Sequence, residues 1–564
     1  MLQINETTLH VETHTLKATF ERGILTELID KTAGQQLVGR QWTETRAEQR
    51  PALELIYAGG ERAPLGTEPG DQVTLIPMGE QRADFRVSAW NGDGVISVRA
   101  DPQSNELIVE PSGYASRPGL RACRWTLGGI NPTLKLAAPL WQGVRLALDD
   151  PLIHQQHFPW PFEWQAGLAI LDDEAGNGFW IHCQDVQYRY KALHVGDAGD
   201  AHSLSFDTES YGPLDGNLAA GGLTWRINTY TGGWQQPAAQ YRDWLERAYR
   251  PERTPRPAWF NEVRFAISWC PCDPTILDAL ARRLDPRTVL LHIPNWRTDG
   301  YDQNYPTYIA SEAGRAFIEK AQAMGFRAMP HFNSVDMDPT HPAYTYVRDF
   351  GFREVDSKRL QGWTWTEQGI KPLQESNATR LRHQDKYTMV KIHPGLSTWR
   401  SILAENVRQA VETHDLELVF LDVTLCTWNL HNCLVENMTP TQGMQRLIEE
   451  VAAIKPRLAV GGEGRNETSM TGQAFSQVHL FRSSHRSIDG LERTGGCALN
   501  EFLFGKWSRS FGYWGLTGGT EDESLRMRLH ISLGAIPTVC IASAAEIEHP
   551  NTAVAEMLDL AGGR

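Results

Sequence analysis

The first part of the chain alternates apolar and polar residues with the period of two that is typical of β-strands. One example is "LHVETHTLKATFERGILTELIDKTAGQQLV", in which Gly23 and the segment 30–34 supply turn chemistry. Later runs such as "GGLTWRINTYTGG" repeat the pattern between Gly, Asp and Asn residues. Because long helical periodicity is scarce here, residues 1–230 are predicted to form a large antiparallel β-sandwich domain.

The pattern changes near Trp234. The run "WQQPAAQYRDWLERAY" places its apolar residues at helical spacing. The run "RPERTPRPAW" follows it and is stiffened by proline. Residues 231–256 are therefore predicted to be a helical linker between two domains.

Strand and helix patterns alternate through residues 257–564. The predicted strands are, in order, "EVRFAISW", "RTVLLHIPNW", "FRAMPHFN", "LELVFLDVT", "RLAVGGEG", "QVHLFRS", a segment around "CALNEFLFG", and "ISLGAIPTV". Eight strands over ~280 residues match a (β/α)8 TIM barrel. A doubly wound sheet is the alternative, but no glycine-rich phosphate-binding motif follows the first strand. The predicted fold class is thus a β-domain followed by a TIM barrel.

The C-terminal ends of barrel strands form the active site in TIM-barrel enzymes. In this sequence those ends are rich in acidic, aromatic and histidine residues. The candidate substrate-binding residues are Trp269, Trp296, Asp299, Asp302, His331, Asn333, Lys391, His393, Trp428, Glu467, Arg482 and His485. Such a mixture suits a hydroxyl-rich substrate with apolar ring faces, and the 19 tryptophans fit this interpretation.

Two acids end neighbouring predicted strands. Asp422 follows the apolar run "LELVFL", and Glu463 lies in "GGEG" one strand later. Glycoside hydrolysis needs such a pair, because one carboxylate attacks or stabilises the anomeric carbon while the other protonates the leaving oxygen. A turn or helix-cap role for Asp422 and an ion pair for Glu463 are the structural alternatives. Glu467 is the rival for the acid/base role.

Composition excludes several other classes. The net charge of −14 and the absence of a dense Lys/Arg run argue against nucleic-acid and anionic-membrane partners. The N-terminus has no basic region followed by an apolar core, and the eight cysteines form no CxxC pair. We therefore expect a cytoplasmic protein with reduced thiols and no cofactor.

Metal and serine-hydrolase chemistry find little support in the sequence. The histidines on or near the predicted barrel strands, namely His292, His331, His393, His479 and His485, form no HxH or HxxxH pair for a metal site. Asp336 and Asp338 offer oxygen ligands for calcium, but "DMD" alone is a weak pattern. No GxSxG elbow is present either. The sequence therefore predicts no bound metal.

Several motifs together resemble a known family. The run "FERGILTELIDKTAGQQLV" resembles the start of a galactose-mutarotase-like β-supersandwich, and "GGWQQPAAQYRDWL" resembles the helix that leads from it into a barrel. The runs "NWRTDGYDQNYPTY", "VFLDVT" and "VGGEGRNE" resemble barrel motifs of the retaining α-N-acetylgalactosaminidase group, both endo- and exo-acting. The resemblance covers most of the chain.

This resemblance implies roles for individual residues. The family's nucleophile corresponds to Asp422 and its acid/base to Glu463. The aromatic and acidic loop after strand two corresponds to the family's substrate-binding loop, which nominates Trp296 and Asp302. The chain departs from larger members because it lacks their C-terminal β and carbohydrate-binding modules, so a small glycoside is the expected substrate.

The predicted function is a retaining exo-α-glycosidase. An inverting hydrolase or a transglycosylase on the same scaffold stays open, and so does a non-catalytic carbohydrate-binding protein. The sugar stays open among galactose, N-acetylgalactosamine, glucose and anionic sugars. Cations that suit an anionic substituent, or that pair with site carboxylates, are Lys391, Arg482, Arg486 and Lys506. The oligomeric state is not predicted.

Overall fold

The computed structural model describes residues 2–254, 256–373, 388–479 and 496–563. The chain divides into two compact units. The first holds the residues up to Ala248 together with two short later segments, and the second holds nearly all of the rest. The helix Gln235–Tyr249 lies within the predicted linker. The boundaries at residues 230 and 256 stay predictions.

Three antiparallel sheets build the first unit. The five-stranded sheet consists of Leu2–Asn5, Thr8–Glu12, Leu16–Glu21, Ile24–Asp30 and Gln35–Val38. The ten-stranded sheet runs in the order Val144–Ala147, Lys135–Ala138, Leu168–Asp172, Gly178–His182, Trp225–Tyr230, Leu107–Ala115, Gly92–Ala100, Arg82–Ala89 and Gln72–Pro77, with Ala219–Gly221 beside Leu107–Ala115. The six-stranded sheet runs in the order Gln156–Pro159, Lys191–Ala198, Ala201–Glu209, Leu120–Gly128, Leu53–Tyr57 and Arg62–Leu65. Short 3-10 turns are Arg40–Trp42, Ala47–Gln49 and Ala58–Gly60.

A buried ion pair lies in the six-stranded sheet. Arg124 and Asp207 are direct cross-strand partners. The guanidinium donates from Nε and Nη2 to the two carboxylate oxygens, at 2.6 and 2.8 Å. Both residues are at most 4% exposed. The bidentate geometry satisfies each charge where water does not reach it.

Eight parallel strands form a nearly closed barrel in the second unit. In chain order they are Phe265–Ile267, Val289–Ile293, Arg327–Asn333, Leu418–Asp422, Ala459–Glu463, Gln473–Gln477, Arg509–Phe511 and Thr538–Val539, called barrel strands 1 to 8. The helices of the barrel region are Pro274–Ala281, Glu312–Met324, Ser397–Thr413, Pro440–Ala452, Glu521–Ser532, Ala545–Glu548 and Thr552–Ala561. Short 3-10 turns are Pro251–Arg253, Ala258–Glu262, Pro286–Thr288, Pro342–Tyr346, Arg348–Phe350 and Ser469–Thr471. A single bridge, Phe511 to Ile536, connects strand 7 to the approach of strand 8. The predicted fold class is confirmed.

The barrel strands are apolar on both faces, as parallel strands buried under helices must be. One set of side chains packs under the helices, and the alternate set fills the barrel interior. The interior cluster contains Ala266, Leu290, Met329, Leu418, Phe420, Ala459, Ala474, Phe475, Phe511 and Ile536. Short runs such as "LVFL" at 418–421 therefore lack an alternating pattern.

An additional sheet interrupts the barrel after strand 3. Its antiparallel strands run in the order Asp336–Met337, Thr388–Lys391, Gly362–Thr366 and Gly369–Pro372. It follows the C-terminal end of barrel strand 3, and so it belongs to the face where the strand-end side chains gather.

Two strand predictions were wrong. Barrel strand 6 is Gln473–Gln477 and ends where the predicted segment "QVHLFRS" begins. The segment predicted as strand 7 instead contains the helix Leu499–Phe504, whose Leu499, Leu503 and Phe504 are fully buried at helical spacing. Strand 7 is Arg509–Phe511. Among the described residues, no helix combines the length and apolar character needed to cross a membrane.

Replacing Arg124 by Met should destabilise the protein, because Asp207 would keep a buried charge without its partner. We expect a loss of roughly 3–5 kcal/mol in the free energy of unfolding, measured by urea denaturation. Arg408→Met is the control, since Arg408 pairs with Glu405 and Glu412 on an exposed helix face and its loss should cost far less. Equal losses in both variants would contradict the burial argument.

Candidate active site

Asp422 and Glu463 are the last residues of barrel strands 4 and 5. These strands are adjacent and parallel, with Leu421 paired to Gly462, so the two acids emerge side by side. Their exposed fractions are only 7% and 8%. The sequence placed both acids at strand ends, and the structure brings them together in one buried site.

The two carboxyl groups interact, and each acts on the pKa of the other. Tyr301 donates its hydroxyl to Asp422 Oδ2 at 3.0 Å. Glu463 accepts at Oε2 from the backbone N–H of Val423 at 3.1 Å, and its Oε1 lies 2.6 Å from His479 Nε2. Each acid therefore interacts with the other and is oriented by one additional side chain.

This arrangement favours a single proton on the pair. Burial and the negative charge of Glu463 raise the pKa of Asp422 well above its ordinary value. Burial also acts to raise the pKa of Glu463, but the hydrogen bond and charge of His479 outweigh it, so that this pKa lies below its ordinary value. Two neighbouring negative charges are unfavourable in a buried site. The opposite directions of the two shifts favour protonated Asp422 beside ionised Glu463.

Two histidines behind the acids are neutral. His331 Nε2 lies 3.6 Å from Asp422 Oδ2, and its Nδ1 lies 3.4 Å from His292 Nε2. Burial lowers the pKa of His292 to about 3 and that of His331 well below its usual range. These rings contribute hydrogen-bonding groups and shape, but no positive charge, to the floor of the site.

The backbone is strained around the pair. Trp269, Asp302 and Val423 have φ of 59°, 54° and 65°, in the left-handed region that non-glycine residues rarely adopt. Gly464 also has positive φ, 72°, and a Cβ at this position would lie 2.7 Å from Leu425 Cβ. Strain of this kind persists where the surrounding structure enforces it, which is common at functional sites.

Asp302 is held by two tryptophans of the additional sheet. Its Oδ2 accepts from the indole N–H of Trp363 at 3.2 Å and of Trp365 at 2.7 Å. The residue is only 2% exposed, and burial raises the pKa of its carboxyl group to about 6. Asp302 thus connects the loop after strand 2 to the sheet inserted after strand 3.

Lys391 places a buried ammonium group near the acids. It lies 3.2 Å from Asp336 Oδ1 and sits 4.1 Å from the centre of the Trp363 ring. Its charge acts on Glu463 and lowers that pKa. Asn333, the register partner of Asp422, donates to Asp336 Oδ2 at 2.9 Å. Since Lys391 already neutralises Asp336, these contacts do not favour the calcium alternative.

Trp269 and Asp299 lie on loops around the site. The ring of Trp269 is 5.2 Å from that of Tyr301, and its indole N–H has no hydrogen-bond partner among the described residues. Asp299 accepts from Asn304 Nδ2 at 3.1 Å and so braces its own loop. Trp269 is therefore half-buried beside Tyr301, and its indole nitrogen is shielded from solvent.

Two nominated residues do not belong to the site. Trp296 is fully buried in the core, where its indole N–H donates to the carbonyl of His331 at 2.9 Å. His393 has both ring nitrogens bonded to backbone groups, those of Cys433 and Gly395. These contacts correct the prediction of substrate binding, because neither ring has a free face or nitrogen for a ligand.

The remaining nominations have other outcomes. Trp428 is half-buried and donates its indole N–H to Gln361 Oε1 at 3.1 Å. Glu467 is 1% exposed in the loop after strand 5. Arg482 and His485, with Arg486, lie outside the described residues. Their assignments stay predictions.

Four side chains of the site were not nominated from sequence. Tyr301 and His479 contact the acids directly, while Trp363 and Trp365 hold Asp302. The alternating run "GWTWT" at 362–366 is a strand pattern that pointed to the two tryptophans. Tyr301 was only one of several aromatic residues in the loop after strand 2, so its sequence gave no specific reason to select it. No local sequence pattern pointed to His479 as a partner of Glu463.

Comparisons with known proteins give a consistent picture of the fold. A family model described as a domain of unknown function, DUF6259, matches residues 223–444. A search of curated proteins found no significant match.

Solved structures resemble the chain over nearly all of its length. The α-N-acetylgalactosaminidase NagBb from Bifidobacterium bifidum is 12% identical, with a TM-score of 0.64 over 100% of this chain and 93% of its own. The α-galactosidase from Lactobacillus brevis is 10% identical, with a TM-score of 0.51 over 98% of this chain and 82% of its own. The GH36 α-galactosidase AgaA from Geobacillus stearothermophilus is 10% identical, with a TM-score of 0.50 over 98% and 86%. The chain shares the fold of these proteins.

Asp302→Asn should change how stability depends on pH. The pKa of this carboxyl group is about 6 in the folded protein, against about 3.9 in an unfolded chain. Between these values the folded state holds a proton that the unfolded state has released, so the contribution of Asp302 to stability falls as pH rises. Asn does not titrate. Between these two pKa values, the free energy of unfolding of the variant should therefore rise relative to that of the wild type by up to about 1.4 kcal/mol per pH unit.

Urea unfolding between about pH 4 and pH 7 measures this difference. Asp299→Asn is the matched control, because it removes a partly exposed carboxylate from the same loop. If the difference in the free energy of unfolding between Asp302→Asn and the wild type did not change with pH, the raised pKa of Asp302 would be contradicted.

Proposed function

We propose that the protein is a glycoside hydrolase, specifically a retaining exo-α-glycosidase that acts on small glycosides. The observation that carries this proposal is the pair of buried carboxyl groups, Asp422 and Glu463, at the C-terminal ends of adjacent barrel strands. The solved structures that share the fold are named as α-galactosidases and an α-N-acetylgalactosaminidase, which supports this class of substrate.

In the proposed mechanism Asp422 attacks the anomeric carbon and Glu463 protonates the leaving oxygen. Glu463 then removes a proton from the water that releases the sugar from Asp422. Retention and inversion require different separations of the two carboxyl groups. Inversion needs them ~6.5–9.5 Å apart to admit a water molecule, whereas retention needs only ~5–5.5 Å.

The first step requires one proton shift. The directions of the two pKa shifts favour the proton on Asp422, whereas the mechanism needs it on Glu463. The two acids end adjacent strands, so the proton passes between neighbouring groups. A glycosidic oxygen that enters beside Glu463 replaces Asp422 as the acceptor of that proton, and Asp422 is then ionised for attack.

The surrounding groups suit a neutral sugar ring. The half-buried rings of Trp269 and Tyr301 offer apolar faces. Lys391 is already paired with Asp336. α-Galactosides and α-N-acetylgalactosaminides are the first substrates to test. An inverting hydrolase, a transglycosylase and a non-catalytic sugar-binding protein are the alternatives.

Asp422→Asn should abolish turnover while leaving the fold intact, because the amide is a poor nucleophile. A panel of aryl α- and β-glycosides of galactose, N-acetylgalactosamine and glucose, assayed with wild type and variant, measures this. The anomer first released, followed by NMR, distinguishes retention from inversion, and added acceptor alcohols reveal transglycosylation. Binding without hydrolysis by the wild type would support the non-catalytic alternative, and full activity of Asp422→Asn would sink the assignment.

Glu463→Gln should slow substrates with poor leaving groups far more than aryl glycosides with good ones, since only the former need proton donation. The measurement is kcat/KM for a series of aryl glycosides with leaving groups of different pKa. Glu467→Gln is the matched control from the same loop. Equal slowing across the series by Glu463→Gln, with the leaving-group dependence in Glu467→Gln instead, would transfer the acid/base role to Glu467.

A further inference from the structure

Three side chains of the first unit meet at one end of its six-stranded sheet. Asp197 and His202 are cross-strand partners in the hairpin formed by Lys191–Ala198 and Ala201–Glu209. His154 precedes the strand Gln156–Pro159, which pairs with the same hairpin. The sheet register therefore fixes the positions of all three, which we call the His154 cluster.

The distances in this cluster match a metal site. Asp197 Oδ2 lies 3.2 Å from His154 Nε2, and Asp197 Oδ1 lies 3.4 Å from His202 Nδ1. The three ligand atoms lie within 4.8 Å of one another. Ligands bound tetrahedrally at the ~2.0–2.1 Å of zinc are separated by about 3.3–3.4 Å. A single ion thus fits between these atoms with little movement.

The hydrogen bonds determine which nitrogen of His154 is free. Its Nδ1 lies 3.1 Å from the carbonyl oxygen of Leu148, which only accepts, so Nδ1 carries the proton. In a neutral ring Nε2 then has only a lone pair, and it faces a carboxylate oxygen. In metal sites, the histidine ring nitrogen that does not bind the metal usually donates to another group. Nδ1 of His154 donates to the Leu148 carbonyl in this way.

His202 gives an independent indication. Its Nδ1 is buried and has no hydrogen-bond partner among the described residues, although a carboxylate oxygen lies 3.4 Å away. A buried polar atom without a partner is costly. The lone pairs of the ring nitrogens face the carboxylate oxygens of Asp197, and these groups repel each other. Protonation of both rings, or one divalent cation between them, would remove this repulsion.

We propose that His154, Asp197 and His202 bind a zinc ion, with water completing the coordination. Two imidazoles and one carboxylate are typical zinc ligands, whereas calcium and magnesium prefer oxygen ligands alone. Asp197 is exposed, which leaves room for the water. The bound ion would join the segment that carries His154 to the hairpin and so stabilise the first unit; the proposal does not depend on the hydrolase activity.

The test uses the full chain, freed of metal with EDTA and then given zinc. Wild type should bind one more zinc ion than His154→Gln, Asp197→Asn or His202→Gln, as measured by elemental analysis after gel filtration. Zinc should raise the midpoint of thermal unfolding of the wild type and of none of these three variants. His10→Gln is the control, because His10 is a half-buried histidine of another sheet of this unit that contacts Thr19; it should behave as the wild type.

A metal-free comparison separates binding from folding. Without metal, each variant should unfold at or above the midpoint of the wild type, since removal of opposed lone pairs does not weaken the apo fold. Cobalt in place of zinc should give the intense visible absorption of a tetrahedral site in the wild type and not in Asp197→Asn. Equal zinc content in wild type and all three variants, or a weak octahedral cobalt spectrum common to them, would overturn the proposal and leave a histidine–aspartate ion-pair cluster.

Discussion

The electrostatic coupling between the buried carboxyl groups of Asp422 and Glu463 is the constraint around which the barrel face is organised. Two neighbouring carboxyl groups, both nearly inaccessible to water, cannot both be ionised without a large cost. The surroundings decide which of the two is more acidic. Tyr301 donates to Asp422, while His479 and the nearby charge of Lys391 favour ionised Glu463. The proposed two-step displacement needs one of the two acids protonated while the other is ionised.

The sheet inserted after barrel strand 3 completes this environment. It delivers Trp363 and Trp365 to Asp302 and places Lys391 beside Asp336. Each of these charged groups is buried, and each is satisfied by a specific partner rather than by water. The insertion thus converts the open mouth of a barrel into a site whose polar groups have fixed directions, as pre-organised catalysis demands.

The barrel interior explains why its sixth strand was hard to locate. Gln477 donates to Ser268 Oγ at 2.8 Å, and Ser476 and Ser508 share a hydrogen bond of 2.7 Å. Gln473, also in this strand, donates to the carbonyl of Gly464 at 2.9 Å. Buried polar residues that are bonded to other polar groups of the interior have no hydrophobic pattern. Strand 6 is buried at every position, and yet its sequence reads as a polar loop.

The sequence by itself determined the features that depend on neighbours along the chain. These include the barrel class, the capping box from Thr439 to Gln442, the helix end at Gly325, and the strand-end positions of Asp422 and Glu463. Only the tertiary structure decided what depends on distant partners. It placed Trp296 in the core, brought His479 to Glu463, and gathered the His154 cluster. The physical reason is that burial, hydrogen bonding and shared protons are set by groups that meet only when strands far apart in sequence pair in register.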